Sequence, residues 1–237
     1  MSEKYKKEQP TSYAVGTQAT IELLKRRPEQ AIRLFINPAQ RHDETYDKLL
    51  SLAKLDGIPV IENNQKIFKE ISGKDNTMSL GEFRKEEQDL DPKANHVVLV
   101  NPSNPGNLGT IIRAMAAFSY LDLAIIAPSA DPFDPKCVRA TMGALFSVRV
   151  HRYASFEEYR SSFGEKRSYY PFMLQAKTTL KEAHHSSPFT LIFGNEATGL
   201  DRSFLDLGEP LLIPHTDLVD SLNLDNAVSI ALYEFLP

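Results

Sequence analysis

The chain has 237 residues and 42% of them are hydrophobic, so it can form one large domain or two small ones with a true core. A single cysteine excludes a disulfide framework within the chain, no apolar run is long enough to cross a membrane, and the histidines lack the spacing of a metal site. The net charge of −4 argues against broad nonspecific nucleic-acid binding, although it allows a local basic patch. The polar amino terminus carries no secretory signal, so we expect a cytoplasmic protein.

Strand and helix patterns alternate along the first segment of the chain. An apolar helical turn at 21–24 comes first, and the predicted strands and helices that follow are 31–36 (strand), 46–55 (helix), 58–61 (strand) and 65–71 (helix). This alternation predicts a small α/β domain over residues 1–91. The charged stretch 83–93 has little periodicity and is the predicted linker to a second domain, 92–237.

The amino-terminal segment is locally basic. Its first 33 residues hold seven basic and four acidic side chains, a local charge of +3, and the helical turn runs into Lys25, Arg26 and Arg27. Such a run suits a surface that meets phosphate. It is equally typical of a solvated helix end, where cations favour the carboxyl dipole, so both interpretations stay open.

Residues 96–118 are the stretch around which the second segment is organised. A short β-branched run, 96–100, predicts a buried strand that ends at Asn-Pro and a polar turn. A helix is predicted from about Leu108, with Ile111, Met115 and Phe118 on the face that packs on a sheet and Arg113 on roughly the opposite side. The glycine patterns of dinucleotide and phosphate loops are absent, so this stretch alone indicates only an α/β domain.

The rest of the second segment continues the alternation. The further predicted elements are strands at 123–127, 146–150, 170–175 and 189–193, and helices at 134–145, from 155, from near 201 and over 221–235. The stretch 211–214 precedes the last helix and has no element assigned to it. This order predicts a mainly parallel sheet with helices on both faces. The last helix carries an apolar stripe of Val228, Leu232 and Phe235, and Ser221 is its candidate N-cap.

Two glycines bracket a carboxylate after the strand at 189–193. Gly194 and Gly199 enclose Glu196 at a strand's carboxyl end, where ligands of open α/β sheets bind. A glycine-bearing turn that leads into a helix near Asp201 explains the same pattern without a ligand.

Three separated stretches, taken in order, resemble the three motifs of the SpoU/TrmH RNA 2′-O-ribose methyltransferases of the SPOUT superfamily. They are Asn107-x-Gly109-x-x-x-Arg113; Phe193-Gly-Asn-Glu196 followed by Gly199-Leu200; and Ile213-Pro214 followed by Ser221-Leu-Asn223 with Tyr233-Glu234. The amino-terminal segment resembles the small, ribosomal-protein-like substrate-binding domain that many members carry. Together the two resemblances account for the whole chain.

The resemblance implies a fold and an activity. The fold would be an α/β SPOUT methyltransferase domain with a mainly parallel sheet and a deep trefoil knot, a rare exception to the rule against threaded chains, preceded by a small α/β substrate-binding domain. The cofactor would be S-adenosylmethionine, and the protein would be a homodimer through its knotted domain. The product would be a 2′-O-methylated ribose in RNA, with rRNA favoured over tRNA.

The resemblance also assigns roles to residues. The catalytic residues would be Asn107, Arg113, Glu196, Ser221 and Asn223. Asn107 would help hold the reacting region, and Arg113 would act at the ribose 2′-hydroxyl as a base or as a phosphate anchor. The cofactor would be held, largely by backbone groups, at Gly194, Asn195, Ile213, Pro214, Ser221 and Leu222. Local charge, and not the resemblance, makes Lys25, Arg26 and Arg27 the candidate RNA-binding side chains.

Three positions depart from the family's pattern: Ser119, Asp217 and Asp225. Asp217 stands where the family usually has glycine and adds a negative charge to a cofactor loop. The alternative of a different class is a SPOUT-like dimer that binds RNA without catalysis. The basic amino-terminal segment argues against a third interpretation, an unrelated α/β enzyme acting on small molecules.

Overall fold

The computed structural model describes residues 5–37, 44–62, 64–72, 77–163, 167–184 and 187–236, which fall into two compact units. The first unit is Met1–Glu86 with Asp131–Ser147, and the second is Glu87–Ala130 with Val148–Pro237. The first unit therefore includes a segment that lies beyond the predicted division at residues 91 and 92. In the described part of the chain, no helix has both the length and the apolar character needed to cross a bilayer.

A four-stranded sheet and three helices form most of the first unit. The strands are β1 (Thr11–Val15), β2 (Ala31–Ile36), β3 (Val60–Ile61) and β4 (Ser79–Arg84), and the helices are α1 (Thr17–Arg26), α2 (Glu44–Leu55) and α3 (Gln65–Ser72). The sheet order is β1-β4-β2-β3, with β4 antiparallel to both neighbours and β3 parallel to β2. Side chains alternate along β2, so Leu34 and Ile36 join one buried cluster while Phe35 joins another.

The four elements predicted between residues 31 and 71 are confirmed, but two strands are missing from the prediction. β4 overlaps the start of the predicted linker at 83–93, and that prediction is wrong there because Phe83 is buried in the sheet. Ser79 and Glu82 are buried as well, and Glu82 pairs with Arg33. Polar side chains that are buried in pairs hide the apolar alternation by which a strand is recognised.

The segment 131–147 packs on the amino-terminal strand of the first unit. The hydroxyl of Ser12 donates to the carbonyl of Phe133. Helix α5 (Pro135–Ala140) is shorter than the predicted helix 134–145, because Met142 and Gly143 have left-handed φ angles of 52° and 94° that end it. A 3-10 turn at Ala144–Ser147 follows.

A parallel sheet is the centre of the second unit. Its strands and helices are β5 (His96–Val100), α4 (Pro105–Ala117), β6 (Asp122–Ile126), β7 (Arg149–Tyr153), α6 (Phe156–Phe163), β8 (Ser168–Pro171), β9 (Thr178–Thr179), β10 (Phe189–Phe193), β11 (Leu211–Leu212) and α7 (Leu224–Glu234). The five-stranded order is β7-β6-β5-β10-β8, every neighbouring pair is parallel, and β9 pairs separately with β11. The predicted α/β class with a mainly parallel sheet is confirmed.

Helices cover both faces of this sheet. α6 contributes Phe156 and Tyr159 to a buried cluster with one face. α4 and α7 pack against each other, and the ring of Phe235 meets that of Phe189 at 5.2 Å, on the other face. Val228, Leu232 and Phe235 are buried and Arg113 is exposed, as the helical periodicity predicts.

Several boundaries differ from prediction for identifiable reasons. α4 begins three residues before Leu108, because the Asn104 side chain accepts the Gly106 N–H at 2.8 Å. β7 starts three residues later than predicted, because the 3-10 turn occupies 144–147. The predicted N-cap of the last helix, Ser221, is wrong: Asn223 caps α7, with its Oδ1 accepting the Leu224 N–H at 2.9 Å.

Candidate functional site

Two loops of the second unit meet at one edge of the parallel sheet. β5 and β10 are neighbours, with Phe193 beside Leu99, so the loops that follow them leave the same edge. The first loop, 101–104, leads directly into α4, and the second is 194–199. This carboxyl edge is where open α/β sheets bind ligands.

Glu196 lies between the two loops and is held by the first of them. Its Oε2 accepts the backbone N–H of Ser103 at 3.0 Å and the Ser103 hydroxyl at 2.8 Å. Its Oε1 accepts the backbone N–H of Asn104 at 3.1 Å and the side-chain amide of Asn107 at 3.3 Å. The carboxylate therefore sits at the amino terminus of α4, where the helix dipole favours a negative charge.

These contacts fix the charge state of Glu196. Burial raises the pKa of its carboxyl, but the hydrogen bonds donated by Ser103 and Asn104 outweigh that effect and hold the pKa below its usual value. Both oxygens of the ionised carboxylate are occupied as acceptors. Glu196 is thus suited to orient Asn107, and is poorly suited to donate a proton at neutral pH.

Asn107 connects Glu196 to the last helix. Its Nδ2 lies 3.5 Å from Oδ1 of Asn223, the residue that caps α7. Three of the predicted catalytic residues, Asn107, Glu196 and Asn223, consequently form one polar chain across three separate segments. Its members are 116 positions apart at most, so only the fold brings them together.

Asn195 ties the two loops together. Its Nδ2 donates to the carbonyl of Asn101 at 2.7 Å, and its Oδ1 accepts the N–H groups of Ala197 and Thr198 at 2.8 and 3.2 Å. Asn101 has a left-handed φ of 54°, a conformation that asparagine tolerates better than most residues. Asn195 is one of the residues predicted to hold a cofactor, and it lines the neighbouring cavity. Its side chain, however, is engaged within the protein.

A cavity of about 230 Å³ adjoins this polar chain. Its wall includes five of the residues predicted to hold a cofactor, together with Glu196: Gly194, Asn195, Ile213, Ser221 and Leu222. The rings of Phe172 and Phe193 stack at 4.5 Å, with 10° between their planes, and both belong to the lining. The lining combines apolar residues with the loop at 194–199, which suits a partly aromatic ligand with polar edges.

Gly194 is required by close contact between backbones. A Cβ atom there would lie 2.2 Å from the carbonyl carbon of Gly199 and 2.4 Å from the nitrogen of Leu200. Residues 199 and 200 also line the cavity. A side chain at position 194 would therefore push the opposite wall aside.

Pro214 and Asp217 lie apart from this cavity. Both line a neighbouring open cavity of about 470 Å³, and His215 and Leu212 belong to the lining of both spaces. The side chain of Asp217 is exposed, and its charge belongs to the lining of the second cavity and not of the first. Asp225 is in the first turn of α7, where its carboxylate accepts the N–H of Asn226 at 2.9 Å.

Arg113 does not contact the polar chain. It is exposed on α4, and six residues of helix place it about 9 Å along the axis from Asn107. Among the described residues its guanidinium has no hydrogen-bond or ion-pair partner. Arg113 is therefore a cation beside the site with its donors available.

In the basic run of the first unit, two arginine side chains have partners within the unit and the lysine side chain is exposed. Arg26 pairs with Glu22 at 2.6 Å, and Arg27 donates to the carbonyl of Phe146 at 3.2 Å. Lys25 is exposed. Elsewhere, within the described ranges, no group of three or more His, Cys, Asp or Glu side chains could hold a metal ion.

Sequence reasoning missed Ser103 and Asn104. Asn104 carries a recognisable signal, because an asparagine followed by proline at the first helical position is a typical cap. Ser103 carries none, since a serine between two turn residues has no pattern that marks it as a donor to a carboxylate 93 positions away.

We expect Glu196→Gln to lower the free energy of unfolding at pH 7 by about 1–2 kcal/mol, because hydrogen bonds to a charged acceptor are replaced by weaker ones. The folded pKa is depressed, so this stability is present above the unfolded pKa of about 4.3 and is lost as the pH falls through the folded pKa. Urea unfolding at neutral and acidic pH measures the difference. Glu8→Gln, at an exposed site, is the control, and an equal loss of stability at both pH values would contradict the expectation.

Comparison with known proteins gives two matching family models. Residues 94–233 match the model described as "SpoU rRNA Methylase family", and residues 13–77 match "RNA 2'-O ribose methyltransferase substrate binding". Over 145 residues the chain is 32% identical to a 23S rRNA (uridine(2479)-2′-O)-methyltransferase of Streptomyces viridochromogenes, which covers 58% of this chain and 50% of that protein. The chain likewise spans about half (51%) of the length of an uncharacterised tRNA/rRNA methyltransferase of Synechocystis, at 33% identity over 58% of this chain.

Two solved structures add a contrast in coverage. An AdoMet-bound rRNA methyltransferase from Sinorhizobium meliloti is 28% identical, with a TM-score of 0.79 over 95% of this chain and 86% of that one. A second structure, from work on 2-OH methylation of C/U34 on tRNA, is 31% identical to this chain, with a TM-score of 0.57. The match covers 61% of this chain and 95% of the chain in that structure.

Proposed function

Because the chain belongs to the SpoU rRNA methylase family, we propose that it transfers a methyl group from S-adenosylmethionine to a ribose 2′-hydroxyl in RNA. The observation that carries the proposal is the polar chain of Asn107, Glu196 and Asn223 beside a cavity lined in part by the loop at 194–199. A site of this kind can orient a hydroxyl group next to a bound cofactor.

The favoured substrate is rRNA. The Sinorhizobium rRNA methyltransferase structure matches 95% of the chain, whereas the structure concerned with tRNA C/U34 matches 61%. The match to the Sinorhizobium rRNA methyltransferase is thus long enough to take in the first unit, which also matches the substrate-binding family model. An RNA-modifying enzyme works where its RNA is made and assembled, which supports a cytoplasmic location.

The cavity fits S-adenosylmethionine in its chemistry. Gly194, Ile213 and Leu222 would hold it through their backbone groups, and Ser221 would offer a hydroxyl. The missing Cβ at Gly194 keeps the wall at 199–200 close enough for backbone recognition. When bound, the cofactor supplies an electrophilic methyl group on a sulfonium.

The chain's own residues would align the ribose. Glu196 holds the Asn107 amide in place, and orientation of reacting groups contributes several kcal/mol to catalysis. Arg113, whose donors are available, would bind a phosphate beside the target ribose. Guanidinium groups do not serve as bases in proteins, so the hydroxyl proton would leave to phosphate or water.

The proposed assembly is a homodimer formed through the second unit. Two apolar side chains on α7 are unusually exposed for their type, Ile230 at 42% and Tyr233 at 66%. They lie on one face of the helix, as their spacing of three residues requires. Sedimentation velocity tests this assembly, and a monomer at micromolar concentration would contradict it.

Transfer of tritium from labelled S-adenosylmethionine to RNA from a strain that lacks this protein tests the activity. Alkaline hydrolysis of the product locates the label, because a methylated 2′-oxygen cannot attack the neighbouring phosphate and leaves an uncleaved dinucleotide. Label in alkali-resistant dinucleotides of rRNA is the expected result. RNA binding without cofactor binding or label would instead identify a noncatalytic RNA-binding dimer.

We expect neutralising Lys25, Arg26 and Arg27 to glutamine to weaken RNA affinity and to flatten its salt dependence, because a surface that neutralises fewer phosphates releases fewer counterions on binding. Lys25 should account for most of the effect, since Arg26 and Arg27 already hold partners within the first unit. Filter binding from low to physiological salt measures the slope. Lys48→Gln with Lys54→Gln, both on the exposed side of α2, is the matched control, and equal slopes in the two variants would exclude this patch.

A further inference from the structure

We infer that Ser103 is a positioning residue of the active site, acting through Glu196 on Asn107. The inference rests on the proposed function. It concerns a residue that lies outside the motifs assigned above, and it comes from the geometry of one carboxylate.

Ser103 contributes two donors to a single oxygen. Its backbone N–H and its hydroxyl reach Oε2 of Glu196 at 3.0 and 2.8 Å. The other oxygen, Oε1, is thereby left to the Asn104 N–H and to the Asn107 side chain. Without the hydroxyl, the carboxylate could rotate about its last torsion and share both oxygens among three donors.

Loss of the Ser103 hydroxyl would weaken the hydrogen bond between Glu196 and Asn107 most. At 3.3 Å it is the longest of the four, and the Asn107 amide also spans 3.5 Å to Asn223. A side-chain contact of about 3.6 Å is no longer a hydrogen bond, so a displacement of a few tenths of an ångström would remove this one. A change at Ser103 would thus disturb the Asn107 amide while leaving the cavity wall at 211–213, 221–222 and 224 untouched.

Ser103→Ala in the full chain removes the hydroxyl and keeps the backbone donor. We expect turnover with RNA to fall about tenfold, a change of 1.36 kcal/mol in the barrier, while KM for both substrates stays within about twofold. Ser103→Thr restores the hydroxyl and should recover turnover to within about twofold. The acid limb of the pH–rate profile should move to higher pH in the alanine variant alone.

A second measurement does not depend on turnover. The ¹³C shift of the Glu196 carboxyl, identified as the signal missing from Glu196→Gln, should titrate at higher pH in Ser103→Ala than in the wild type or Ser103→Thr. Calorimetry should give the same cofactor affinity for all three chains, and thermal unfolding should show that each is folded.

The two hypotheses fail in different ways. If wild-type protein labels no RNA, the proposed function fails, and the carboxyl titration still tests the link between Ser103 and Glu196. If the wild type is active and Ser103→Ala matches it in turnover and in titration, the role of Ser103 is overturned. A loss that threonine does not rescue would also overturn it.

Discussion

Arg113→Ala should lower methyl transfer to RNA by about a hundredfold or more, the cost of removing a charged group that acts on the transition state. Arg113 is exposed on α4 and, within the described residues, its side chain makes no hydrogen bond or ion pair, so the folded chain does not depend on its charge. Cofactor affinity should stay within about twofold, because Arg113 is not part of the cavity wall. Single-turnover labelling and calorimetry measure the two quantities.

Two further variants separate the roles open to Arg113. Arg160→Ala removes another exposed arginine, from α6, and should leave turnover unchanged. Arg113→Lys keeps a cation that can meet phosphate without the bidentate fork, so a phosphate anchor predicts partial activity and a raised KM for RNA. Full turnover in Arg113→Ala, on a confirmed RNA substrate, would remove Arg113 from the mechanism.

The parallel sheet of the second unit was predictable because its strands are apolar throughout. The strands at 96–100 and 189–193 have the predicted bounds, since a strand covered on both faces leaves a continuous apolar run in the sequence. β4 was missed for the opposite reason. The charge of its buried Glu82 is balanced by Arg33. Because Arg33 is 49 positions away, no local sequence pattern indicates that pairing.

The polar chain of the site was only partly predictable. The residue types of Asn107, Glu196 and Asn223 followed from the motifs, but their connection depends on β5 and β10 being neighbours. Sheet order is a long-range property, and β10 follows β5 in space though four strands separate them in the chain. The roles of these residues stay predictions until variants are measured.

Gly194→Ala should abolish cofactor binding in a chain that still folds. The new Cβ would lie 2.2 Å from the Gly199 carbonyl carbon. Because that atom belongs to the backbone, no side-chain rotation can relieve the clash. The wall at 199–200 must move, and its displacement opens the cavity and disturbs the loop that carries Glu196. We expect calorimetry to show at least a hundredfold weaker cofactor affinity, since misplacement by about 1 Å can cost that much.

The control for this variant is a glycine-to-alanine substitution at a position where the new Cβ has more space. Gly106→Ala, in the first turn of α4, would place its Cβ 3.1 Å from the side-chain oxygen of Asn104, a contact that a shift of a few tenths of an ångström relieves without moving the backbone. We expect cofactor affinity within about threefold of wild type there. Thermal unfolding of both chains must show a cooperative transition, which separates a displaced cavity wall in a folded chain from an unfolded protein. If Gly194→Ala binds S-adenosylmethionine as the wild type does, then the cofactor does not lie against this wall, and the cavity would have to be assigned to another ligand.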